Sequence, residues 1–127
     1  MTRIAMEVEG IRLEGELDDT PPARALAERL PLELDLDRWG DEYYGDLGGA
    51  LGDFCGATVE LMAVGDLAYW APGNALCIIF GPTPASRGPQ PQAASPVFQI
   101  GLVQGDWLRV KALGATVRAR VSRALEG

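Results

Sequence analysis

Histidine does not occur anywhere in this chain of 127 residues. Its absence removes the usual general base, the Ser-His-Asp and Cys-His arrangements and the commonest transition-metal ligand together. Cysteine is scarce as well. Cys55 and Cys77 are too few for a disulfide scaffold, and a reducing compartment keeps both as thiols; Cys77, inside an apolar run, reads as a small core hydrophobe. No apolar run approaches the ~18 residues that span a bilayer. Arg3 followed by Glu7 and Glu9 is not the basic-then-apolar layout of a signal peptide. These absences predict a cytoplasmic protein with no membrane partner, no cofactor and no metal centre.

Acid is plentiful and unevenly placed. Eighteen Asp and Glu stand against eleven Arg and Lys, a net charge of −7, and that sign repels phosphate backbones, so nucleic acid is not an expected partner. Residues 1–66 hold sixteen acids and five bases, whereas residues 67–127 hold two acids and six bases. Two readings are open: a one-sided acidic surface that attracts a cationic ligand, or an acidic first half and a basic last half lying side by side in the fold. The length is near the commonest domain size and suffices to bury roughly two-thirds of the unfolded surface, so one domain over residues 1–127 is expected.

Along the chain, residues 3–8 and 11–17 alternate apolar and polar and meet at Glu9-Gly10, the pattern of a hairpin with one buried face. Ala23, Leu26, Ala27 and Leu30 then fall at helical spacing, with Thr20 as N-cap, Pro21 as first helical residue and Pro31 as the stop. Leu32, Leu34 and Leu36 alternate with acids in a third strand. Gly45 to Gly56 reads as a mobile loop and Thr58 to Met62 as a strand. Five prolines between Pro82 and Pro96 predict an exposed connection of about a dozen residues without a core of its own. Val97 to Val103 is strand-like. Asp106 caps a short helix, Trp107 to Leu113, that ends on a left-handed Gly114, and Val117, Ala119 and Val121 close the chain as a strand. Glu7 and Glu9 on the first strand are expected opposite Arg118 and Arg120 on the last.

The most informative stretch is Gly65 to Pro84. It holds two β-forming runs, AYW and ALCIIF, joined by a Pro-Gly turn and closed by Gly-Pro-Thr-Pro. The pieces AYWAPGNALCIIFGPTP, ASPV (Ala94 to Val97) and WGDEYYG (Trp39 to Gly45) resemble a small prokaryotic family of cyclophilin-like domains, distinct from the true peptidyl-prolyl isomerase cyclophilins. The likeness runs over almost the whole chain. It implies a mainly β protein, a cyclophilin-like closed β-barrel of about eight strands capped by two short helices, and a ligand groove on the barrel wall. In true cyclophilins an arginine stabilises the twisted prolyl amide in that groove; Arg38 is the counterpart the resemblance offers. The phenylalanine, methionine and glutamine that follow it in cyclophilins are replaced here by Glu42, Tyr43 and Tyr44.

The candidate ligand-binding residues are therefore Tyr43, Tyr44 and Trp70 as walls, with Arg38, Glu42 and Asn74 as polar handles for a small molecule or peptide. Trp39 and Tyr69 complete the aromatic set, which reads either as groove or as core; Trp107 reads as core. Arg38 is also the one candidate catalytic residue, for the alternative of a peptidyl-prolyl isomerase with a rearranged site. The non-catalytic module is the expected function. Asp35, Asp37, Gly40, Asp41 and Asp46 fall on a calcium-loop template, but position 5 is Trp39 and a strand precedes it where a helix belongs, so they read as the wet face of that strand.

Overall fold

The computed structural model describes residues 1–124. Alternation builds the opening hairpin: β1 (Thr2–Val8) and β2 (Ile11–Leu17) bury Ile4, Met6, Val8, Ile11, Leu13 and Leu17 on one face, and Glu9 and Gly10 make the turn with φ of 48° and 81°. The helix α1 (Pro21–Ala27) starts where Thr20 and Pro21 predict, but Thr20 makes no side-chain cap; its amide and hydroxyl both donate to the Asp18 carboxylate, at 3.0 and 2.5 Å. It ends earlier than expected, tightening through Arg29 N–H to Leu26 O and Leu30 N–H to Ala27 O ahead of Pro31.

β3 (Leu32–Arg38) and β4 (Glu42–Asp46) form a second hairpin around Gly40-Asp41. Gly40 sits at φ 60°, the conformation that a two-residue hairpin loop requires of its first residue. The remaining elements are β5 (Val59–Leu61), β6 (Asp66–Trp70), a 3₁₀ turn over Ala71–Gly73, β7 (Ala75–Ile79), β8 (Gln92–Gln104), α2 (Trp107–Lys111) and β9 (Thr116–Arg123). In the turn, Asn74 rather than Gly73 adopts the left-handed conformation, since its amide oxygen accepts from the Tyr69 hydroxyl at 2.8 Å and asparagine tolerates that region.

The strands pair antiparallel in the order β2-β1-β9-β3-β4-β7-β6-β8, and β8 pairs back onto β2 to close an eight-stranded barrel. β5 lies outside it, on the first half of β8. The interior is filled by inward residues of the barrel strands, with Tyr43 and Phe80 stacked at 5.3 Å within it. A smaller apolar cluster lies on the outer face of β6, β7 and β8: Met62, Ala68, Cys77, Ile79, Ala93 and Val97.

Three expectations are corrected. The proline-rich connection is shorter than predicted, because β8 begins at Gln92 and runs through Pro96; Thr83 and Pro91 are buried, with the Thr83 hydroxyl bonded to Gln92 O and Ser86 Oγ accepting from the Thr83 and Gln92 amides at 2.9 and 3.1 Å. Asp106 does cap α2, accepting from Arg109 N–H at 3.3 Å, but the helix stops at Lys111 and Gly114 is not left-handed. Trp107 is half-buried at the margin of the core, parallel to Phe80 at 6.4 Å.

The first and last strands pair as expected, Glu7 opposite Arg120. The arginines nevertheless turn to β3 on their other side: Arg118 reaches Asp35 at 2.9 Å and Glu33 at 3.5 Å, and Arg120 reaches Glu33 at 3.7 Å. Among the described residues the Glu9 carboxylate accepts only from the Arg118 amide, at 2.8 Å. The basic β9 lies beside the acidic β3, which fits the side-by-side reading of the charge asymmetry. Among the described residues no helix is long and apolar enough to cross a membrane.

Candidate functional site

A groove of about 300 Å³ lies on the outer face of β4, β7, β6 and β8. Strand periodicity places its walls. Trp39 and Glu42 are opposite one another across the Gly40-Asp41 loop, exchanging backbone bonds of 2.9 and 3.2 Å, so both side chains take the same face. Tyr44, two residues on, shares it. Across the sheet, Cys77 pairs with Tyr44 and Ile79 with Glu42, and Ala68 follows beside Cys77. Trp70 forms the far wall. Its indole N–H donates to Ser95 Oγ at 2.7 Å, and Gly73 packs so closely on the ring that a Cβ there would collide with it. Trp39, Tyr44 and Trp70 each keep part of their surface exposed.

Glu42 is the exception in this apolar wall. Only 7% of it is exposed, and among the described residues it joins no ion pair. Burial pushes its carboxyl up to about 7, against a hydrogen bond from Cys77 that favours the ionised form. The Cys77 thiol is pushed well above its ordinary value by burial and then by the adjacent carboxyl. The pair therefore carries protons near neutrality, in a site with no basic group among the described lining residues.

Three sequence-predicted site residues lie elsewhere. Tyr43 points to the opposite face from Glu42 and Tyr44 and is wholly enclosed in the barrel, its hydroxyl donating to Gly114 O at 2.6 Å; burial raises its pKa. Arg38 also leaves the groove: Nε donates to Gly40 O at 2.8 Å, Nη1 to Lys111 O and Leu113 O at 2.9 and 2.8 Å, and Nη2 to Asp41 at 2.9 Å, with the guanidinium 5.1 Å from the Phe80 ring. Asn74 serves the turn described above. Glu42, Tyr44 and Trp70 do come together. Sequence reasoning missed the floor, Cys77 and Ile79 of β7, because ALCIIF is apolar on both faces and alternation of polarity carries no signal there.

The acids of the calcium template disperse to separate partners. Asp35 holds Arg118, Asp37 accepts from Thr116 Oγ1 at 3.2 Å, and Asp41 holds Arg38. Among the described residues no group of three or more Cys, Asp or Glu is arranged to hold a metal.

Against known proteins, the chain matches the cyclophilin-like family over residues 2–122. Among solved structures it is similar to the solution structure of the hypothetical protein AF2241 from Archaeoglobus fulgidus, with 32% identity, a TM-score of 0.79, and coverage of 97% of this chain and 95% of that one. No curated protein matches it.

Proposed function

The chain belongs to the cyclophilin-like family, and on that premise we propose that it is a non-catalytic module that binds a small molecule or peptide in the groove on its barrel wall. The observation that carries this reading is an open apolar groove of about 300 Å³, walled by half-exposed aromatics, on the outside of a barrel whose interior is already filled. That volume is at the small end of ligand pockets, and aromatic walls around one buried polar group are what such pockets use to bind and orient.

The alternative, an isomerase using Arg38, has less support. Such catalysis needs a preorganised donor aimed at the twisted amide, and each guanidinium nitrogen of Arg38 already donates to a protein oxygen away from the groove.

Tryptophan emission titrated with small apolar fragments and with proline-containing peptides is expected to change on binding, and Trp70→Ala to abolish most of that change. Ligand-induced changes that survive loss of both groove tryptophans, Trp39→Phe together with Trp70→Ala, overturn the groove assignment. In a protease-coupled assay on an Ala-Pro peptide, no acceleration is expected over a barrier of about 18–20 kcal/mol. Robust acceleration that disappears in Arg38→Ala establishes the enzyme instead.

A further inference from the structure

Resting on the reading of the groove as a ligand site, we propose that its occupant is a small organic cation with an alkylated nitrogen, a tertiary or quaternary ammonium, held by Glu42 between the faces of Trp39, Tyr44 and Trp70. The case begins with a buried carboxyl that has no counter-charge among the described residues. Glu42 is more than nine-tenths buried and takes no cationic partner among the described residues, and none of the described residues lining the groove is basic. A carboxyl in apolar surroundings is costly unless something neutralises it. The nearest arginine in sequence, Arg38, is committed to Asp41 and to three backbone carbonyls.

The other walls decide which cation fits. A primary ammonium brings three N–H donors, and beyond Glu42 the groove offers mainly Ala68, Ile79, Ala93 and Val97, whose side chains accept none. An alkylated nitrogen carries one N–H or none and presents methyl and methylene groups, whose spread positive charge suits aromatic faces. An anionic ligand meets the opposite situation: among the described residues no cationic donor lines the groove, an ionised Glu42 repels it, and the whole chain carries −7.

A proton leaves as the ligand enters. Of the residues facing the groove, only Glu42 and Tyr44 from β4 and Cys77 from β7 titrate, while β5, β6 and β8 contribute none among the described lining residues. The Glu42 carboxyl is raised to about 7, so a bound cation draws it to the carboxylate and expels its proton. Affinity then rises with pH through neutrality.

The test compares choline with its neutral carbon isostere, in which a tert-butyl group replaces the trimethylammonium. Tryptophan emission and calorimetry follow both, at about pH 5.5 and about pH 8.5, on either side of the Glu42 transition. Choline is expected to bind roughly tenfold tighter than the isostere at the higher pH, with the preference shrinking at the lower. Glu42→Gln, shown by circular dichroism to be folded, is expected to erase the preference, so that choline binds no tighter than the isostere in that variant. If the isostere binds as tightly as choline, or Glu42→Gln leaves the preference unchanged, the cation inference falls and the groove still stands as a ligand site. If choline and the isostere both fail to bind, the cation inference also falls, and the fragment titration with the Trp39→Phe, Trp70→Ala double variant alone judges the groove.

Discussion

The two faces of one stretch of barrel wall are built to different rules. On the inner face of β4, β6 and β7, Tyr43, Leu67, Tyr69, Leu76 and Ile78 are enclosed, and the two tyrosine hydroxyls end on Gly114 O and Asn74 Oδ1. On the outer face of the same strands, Tyr44, Trp70 and Glu42 line an open groove, and among the described residues no cation answers Glu42. The difference teaches that residue type alone does not separate core from site here, since neighbouring tyrosines on β4 serve one purpose each. What separates them is parity along the strand and whether a buried carboxyl is left without a counter-charge.

The largest effect should come from breaking the inner face. Tyr43→Ala removes a buried aromatic and leaves Gly114 O without its donor, and is expected to cost about 3–5 kcal/mol in urea unfolding. Trp70→Ala, on the outer face, should cost roughly 1–2 kcal/mol while removing the ligand response. Equal losses from the two variants would erase the distinction.

A second effect sharpens the outer face. Glu42 holds its proton to about 7 when folded, against 4.5 ordinarily, so between those values the folded protein binds a proton the unfolded chain has released. Its contribution is therefore fully present below pH 4.5 and is lost as pH rises toward 7, a difference on the order of 3 kcal/mol. The stability difference between wild type and Glu42→Gln, followed by urea unfolding across that window, is expected to shift steadily against the wild type. A flat difference shows a carboxyl that is solvated after all.

The smallest effect lies away from both faces. Arg118 and Arg120 meet Glu33 and Asp35 in exposed pairs, so Arg118→Gln should lower the thermal midpoint slightly at low ionic strength and not measurably in molar salt.

Much of the barrel was legible because its strands write period two plainly: Ile4, Met6 and Val8, or Leu34 and Leu36, differ in polarity from their neighbours. The family likeness supplied the closure that alternation does not encode. The site was legible only in part. In β4 the run Glu-Tyr-Tyr is polar on both parities, so Tyr43 and Tyr44 read alike until the register of Gly40-Asp41 assigns their faces. Arg38 read as a catalytic donor because the carbonyls of Lys111 and Leu113, which take its protons, lie more than seventy residues away.

The position of β9 bears on how the chain is made. The last strand fills the gap between β1 and β3, pairing Ile4 with Arg123 and Leu32 with Val121. At about 5–20 residues per second, the first strand emerges from the ribosome on the order of ten seconds before its neighbour exists. Until then the opening hairpin and β3 are held together only through the long way round the sheet. A chain cut short by its final strand loses the middle of the sheet, not its fringe.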